Sequence, residues 1–142
     1  MRALGVDLGS KRIGIAVSDR SGTIASPLTV VARSGNVAAD HRRIAALVAE
    51  EEAEMVIVGL PLNMNGSSGP AAQAAIKEAA ALATVVNVPV ETFDERRTTV
   101  TADAVLMERK MNAQARRRVI DKVAAAVMLQ HWLDSRGAHR WD

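Results

Sequence analysis

The chain has 142 residues, no cysteine, 49% apolar and 24% charged residues, and a formal net charge of +2. This is one domain's length, enough for a single buried core, with a composition outside the disordered range. The missing cysteines exclude disulfides, thiolate metal sites and a thiol nucleophile, and fit a reducing cytoplasm. No apolar run reaches the roughly 18 residues of a membrane span, and Arg2, Asp7, Lys11 and Arg12 come too early for a signal peptide's apolar core.

In chain order, residues 2–8, 13–18 and 23–31 read as three extended segments joined by short turns, the pattern of antiparallel hairpins. Pro27 marks the third as an edge or broken strand. Residues 37–53 read as a helix, with Ile44, Leu47 and Val48 on one face. The continuous apolar run 55–59 suits a strand buried on both faces. Residues 60–69 form a loop. A second helix spans 70–84, with Pro70 suited to its first position. A strand follows at 88–93, then helices at 98–107 and 116–133, and residues 136–142 read as a C-terminal tail. The expected fold is α/β: one domain over residues 1–135, with a five-stranded mixed sheet whose first three strands are antiparallel, flanked by helices. Ligands in such sheets collect at the carboxyl ends of parallel strands.

The acids at those ends carry the chemistry. Asp7 lies late in an apolar first strand, where a carboxylate needs either a partner or a turn to cap. Asp94 and Glu95 end the last strand, followed at once by Arg96 and Arg97; the four form either a surface ion-pair cluster or a carboxylate beside a phosphate-binding arginine. Asp121 opens the apolar part of the last helix, in one row with Ala125, Met128 and Trp132. Alone it reads as an acid favouring the helix dipole. Three acids converging without thiolates would suit Mg²⁺ or Mn²⁺, and such ions hydrolyse phosphodiesters.

Two loops suit phosphate: the turn from Gly9 to Arg12, with Lys11 and Arg12, and the loop holding Asn63 and Asn65 before a helix N-terminus. Neither is a Walker loop. The acid-free stretch 109–118 holds Arg116, Arg117 and Arg118, a basic patch or a solvated helix face. The histidines His41, His131 and His139 lack metal-site spacing. The chain's aromatic residues are Phe93, Trp132 and Trp141, which argues against recognition by base stacking.

Five ordered stretches carry a resemblance. They are Asp7-Leu8-Gly9-Ser10-Lys11-Arg12-Ile13-Gly14, Ala16-Val17-Ser18-Asp19, Val58-Gly59-Leu60-Pro61-Leu62-Asn63-Met64-Asn65-Gly66, Asp94-Glu95-Arg96-Arg97-Thr98-Thr99 and Val119-Ile120-Asp121-Lys122-Val123-Ala124-Ala125-Ala126. Together they resemble the YqgF/RuvX family, described as pre-16S rRNA nucleases and formerly as Holliday junction resolvases, over about residues 2–135. The resemblance implies an RNase H-like fold and a metal-dependent nuclease. It implies Asp7, Asp121 and a carboxylate from the Asp94–Glu95 pair, preferably Glu95, as catalytic metal ligands. Lys11, Arg12, Arg96 and the Asn63–Asn65 loop become phosphate contacts. Arg97 departs from the family, where an apolar residue is common.

The expected activity is hydrolysis of phosphodiester bonds in the 5′ end of pre-16S rRNA, with ribosomal particles as partners and a monomer or homodimer as the working unit. Three alternatives stand beside it. Resolution of branched DNA would call for a dimer. An RNA-binding assembly factor would bind with steep salt dependence and not cleave. An actin-like ATPase, suggested by Asp7-x-Gly9 alone, would need a second domain for which 142 residues leave no room.

Overall fold

A computed structural model describes residues 1–61, 69–94 and 113–140, the last helix having its side chains described over 123–136. Its strands are β1 (Ala3–Leu8), β2 (Arg12–Ser18), β3 (Ala25–Ala32), β4 (Met55–Leu60) and β5 (Val90–Asp94). The helices are α1 (Val37–Glu50), α2 (Pro70–Ala83) and α3 (Ala113–Arg140). The helix expected at 98–107 lies outside the described residues.

The strands form one sheet in the order β3-β2-β1-β4-β5. The two short turns make β1–β2 and β2–β3 antiparallel, whereas β4 and β5, each reached through a helix, run parallel to β1. β3 is an edge strand, as Pro27 requires. The β2–β3 register slips between Ile15 and Ala16, which pair with Thr29 and Pro27 and leave Leu28 as a bulge.

The period of two sorts the central strands into two cores. Leu4, Val6, Ile13, Ile15, Val17, Val56 and Val58 face α1 and α2, meeting Ile44, Val48, Ala79 and Leu82. Ala3, Ala16 and Ile57 face α3, meeting Ala125, Met128, Leu129 and Trp132. Each fully buried Leu, Ile or Met here contributes about 1.5–3 kcal/mol relative to exposure. The doubly covered sheet explains why β4, and β1 as far as Val6, read as unbroken apolar runs.

Gly5 lets α3 sit on β1. A Cβ at residue 5 would lie 3.0 Å from Leu129 Cβ and 3.3 Å from the Ala125 carbonyl oxygen. α3 crosses the sheet with a fixed polarity. Gln130 accepts from Ala25 N at 2.9 Å and donates to Thr23 O at 2.8 Å, at the end of the sheet where β1 begins. Ala125 lies over Gly5, so the helix runs from the carboxyl end of β1 towards its start.

Two boundaries differ from expectation. α1 stops at Glu50, with Glu51 as its C-cap and Glu52 at φ 53°, turning the chain into β4 three residues before the expected end. α3 continues to Arg140, where a tail was expected from 136. Arg136 stacks over Trp132 at 4.8 Å from the ring centroid and reaches Met1 Sδ at 3.6 Å, so the helix keeps tertiary contacts past residue 135.

Candidate functional site

Asp7 sits one residue before the end of β1, the central strand, and pairs with Gly14. It shares the α3 face with Ala3 and Gly5 by the strand period. Its side neighbours on that face are glycines. Gly14 lies across on β2, and Gly59 follows the Val6–Val58 pair on β4. Beyond Gly59 stands its β5 partner Phe93, packed on the α3 core. Asp7 therefore stands half-buried, with glycines at the neighbouring positions of both adjacent strands. Neither glycine stood out as functional in the sequence; only the sheet register brings both beside Asp7.

The turn after Asp7 is tight. Gly9 N donates to Asp7 O at 3.1 Å, and a Cβ on Gly9 would collide with the Arg12 carbonyl oxygen. Lys11 is exposed and Arg12 half-buried at the start of β2. Both cations thus follow Asp7 at the same end of the sheet.

Asp94 ends β5 opposite Leu60 of β4. It shares the face of Val90, which packs on the α1–α2 core, whereas Phe93 points to the α3 core. The register therefore turns Asp94 to the side of the sheet opposite Asp7. Glu95, Arg96, Arg97, Asn63 and Asn65 lie outside the described residues. Residues 116, 117, 118 and 121 lie in α3, ahead of its described side chains. Position 121 is one helical turn before Ala125, hence about 6 Å along α3 from the Gly5 crossing, in the direction of Asp7. Asp7 is about 7 Å from Gly5 along β1. The helix row and the strand thus advance together towards one end of the sheet. Among the described residues, no three His, Cys, Asp or Glu side chains cluster closely enough for a metal.

Behind the turn lies a polar network that no local pattern announces. Arg33, just past β3, donates from Nε to Gly9 O at 2.8 Å, and its backbone N donates to Lys11 O at 3.0 Å. Its two terminal nitrogens grip both oxygens of Glu78 on α2, at 2.8 and 2.9 Å. His41 Nε2 on α1 meets the same carboxylate at 2.8 Å, and the His41 side chain is 2% exposed. Burial pushes the Glu78 carboxyl up, but the Arg33 bonds, followed by the His41 bond and both neighbours' charges, hold it below its usual value. Glu78 in turn raises Arg33. Asp40 beside them is held low chiefly by the Ser34 hydroxyl, which donates to it at 2.8 Å. His41 is thus a core histidine whose Nε2 is partnered by Glu78.

Asp19, in the second quoted stretch, is likewise structural. Its carboxylate caps the β2–β3 turn, accepting from Thr23 N, Ile24 N and the Ser21 hydroxyl, and these bonds hold it far below the usual range. No described helix is long and apolar enough to cross a membrane.

A mixed sheet of this order with helices on both faces is the RNase H-like arrangement. The fold matches Thermus thermophilus RuvC in complex with a Holliday junction substrate with a TM-score of 0.61, at 19% identity, over 97% of this chain and 96% of that one. The fold class is thus the RNase H-like fold that RuvC has. Residues 1–135 match the RuvX family, described as Holliday junction resolvase, and the chain belongs to that family. Two similar relatives are each named "Putative pre-16S rRNA nuclease". That of Pelotomaculum thermopropionicum is 47% identical over 140 residues, covering 99% of this chain and 91% of the relative. That of Myxococcus xanthus is 48% identical over 140 residues, covering 99% and 90%.

Proposed function

We propose that this nuclease-family chain cleaves phosphodiester bonds in pre-16S rRNA, at a divalent-metal site at the carboxyl end of β1. The observation that carries the reading is Asp7 between its glycine neighbours, at the end of the sheet towards which α3 brings position 121. The substrate is inferred from the names of the relatives at 47–48% identity.

Asp7, Glu95 and Asp121 would hold the ion. The donor chemistry fits: three hard carboxylates in a chain without thiolates suit Mg²⁺ or Mn²⁺. Glu95 is preferred to Asp94 because Asp94 shares Val90's face, away from Asp7. Such an ion, when bound, activates water and neutralises charge on the phosphate.

The rest falls to the chain itself. Lys11 and Arg12, beside Asp7, bind the nucleic-acid backbone and balance the charge that develops on the phosphoryl oxygens. Arg96, Asn63, Asn65 and the Arg116–Arg117–Arg118 cluster extend that contact along the substrate. With three aromatic residues in the whole chain, recognition rests on backbone and shape rather than base stacking. The working surroundings are cytoplasmic, with ribosomal particles presenting the precursor.

The test is cleavage of labelled pre-16S rRNA, with a four-way DNA junction beside it, in Mg²⁺, Mn²⁺ or chelator. Metal-dependent cutting of the precursor is expected. Cutting confined to the junction would transfer the same chemistry to branched DNA. Salt-sensitive RNA binding without cutting under any condition would make the chain an assembly factor.

A further inference from the structure

Arg33 resembles a phosphate-binding arginine in charge and place, at the same end of the sheet as Lys11 and Arg12. Its bonding says otherwise. Three of its side-chain nitrogens already donate, one to the Gly9 carbonyl and two to Glu78. Glu78 is held in turn by His41. The group thus joins four elements: the Asp7–Arg12 turn, the end of β3, and both helices on the α1–α2 face. It reaches Gly9 from behind, since Asp7 belongs to the α3 face. A second tie, Arg43 Nη1 to Ala32 O at 3.1 Å, fixes the strand end that carries Arg33.

We propose that Arg33 is a positioning residue for phosphodiester cleavage: braced by Glu78 and His41, it holds the Gly9 carbonyl and so sets the turn linking Asp7 to Lys11 and Arg12. The inference rests on the nuclease reading of Asp7. The arrangement uses the planar fork of arginine, whose three separate nitrogens reach Gly9 and both Glu78 oxygens, whereas a lysine offers a single compact ammonium without that fork. A small displacement of a catalytic constellation lowers rate more than binding, because reaction depends on geometry far more steeply than affinity does.

Two variants test this, Arg33→Lys and Glu78→Gln, each first shown to be fully folded at the assay temperature by its melting curve. Single-turnover cleavage of pre-16S rRNA is followed against RNA concentration, and Mn²⁺ binding is titrated without RNA by electron paramagnetic resonance. For Arg33→Lys the saturated rate should fall about tenfold or more, with the half-saturating RNA concentration changing less than about threefold. Half-saturating Mn²⁺ should rise, because Asp7 is no longer held. Glu78→Gln, which loosens the brace, should move both in the same direction by less. A purely structural ion pair predicts wild-type rate and Mn²⁺ affinity in any folded variant, and that result overturns the proposal. Should Arg33→Lys fail to fold, folded Glu78→Gln with wild-type rate and Mn²⁺ affinity overturns it equally. If the wild type binds Mn²⁺ but cuts no RNA, the proposed activity fails, while unchanged Mn²⁺ affinity in Arg33→Lys still refutes the positioning role.

Discussion

Gly5→Ala should damage activity more than stability, because of where Gly5 stands. The added Cβ would meet Leu129 Cβ at 3.0 Å and the Ala125 carbonyl oxygen at 3.3 Å. Ordinary carbon contacts lie at about 3.5–4.0 Å, so α3 must lift by roughly 0.5–1 Å. The backbone of Ala125 cannot rotate away, and shortening Leu129 to Ala would leave its Cβ in place. Overpacking of this kind costs about 1–3 kcal/mol, or roughly 3–9 °C in melting temperature for a domain of this size. The same lift moves position 121, one turn along the helix, relative to Asp7. A shift near 1 Å at a catalytic centre can lower rate about a hundredfold. Urea unfolding and single-turnover cleavage, run on the same preparation, give the two numbers. A variant that keeps both its denaturation midpoint and its rate would refute the packing of α3 on β1. One that loses stability but cleaves normally would refute the link from that packing to the site.

Gln130→Ala should cost about 1 kcal/mol in urea unfolding, because it removes the partner of the half-buried Ala25 amide where β3 begins; an unchanged midpoint would contradict the anchoring. Stability should also fall in acid. Asp40 and Glu78 are held below their ordinary values, so their contribution is present above about pH 5 and lost as pH falls through their folded values. Glu78→Gln should flatten the slope of melting temperature between about pH 5 and pH 3, and an unaltered slope would show that Glu78 is not a source of it. Gly9→Ala should lower both the melting temperature and cleavage, since its Cβ has no room against the Arg12 carbonyl; a variant that melts and cleaves as wild type would refute the tight turn.

Much of the fold is legible from local pattern. The short turns after Leu8 and Ser18 allow only antiparallel neighbours, and the unbroken apolar run from Met55 announces a strand covered on both faces. The place of Asp7 near the carboxyl end of β1 is legible too. Its glycine neighbours are not, because Gly14 and Gly59 come together with Asp7 only through the sheet register. The facing of Asp94 depends on the same register. Least legible is the Arg33–Glu78–His41 network, whose members stand 37 and 45 residues apart across its bonds. Nothing near His41 in sequence distinguishes a buried histidine bonded to a distant glutamate from a surface one. The extension of α3 past residue 135 likewise depends on Trp132 and Met1, a contact across 135 residues for Arg136 and Met1.

The central claim is that Asp7 serves the cutting of RNA and not the folding of the chain. Asp7→Asn, compared with the wild type for pre-16S rRNA cleavage in Mg²⁺ at matched folding and matched RNA binding, tests it most directly. Cleavage should vanish while melting temperature and RNA affinity stay close to wild type. Cleavage retained at equal purity would contradict the account.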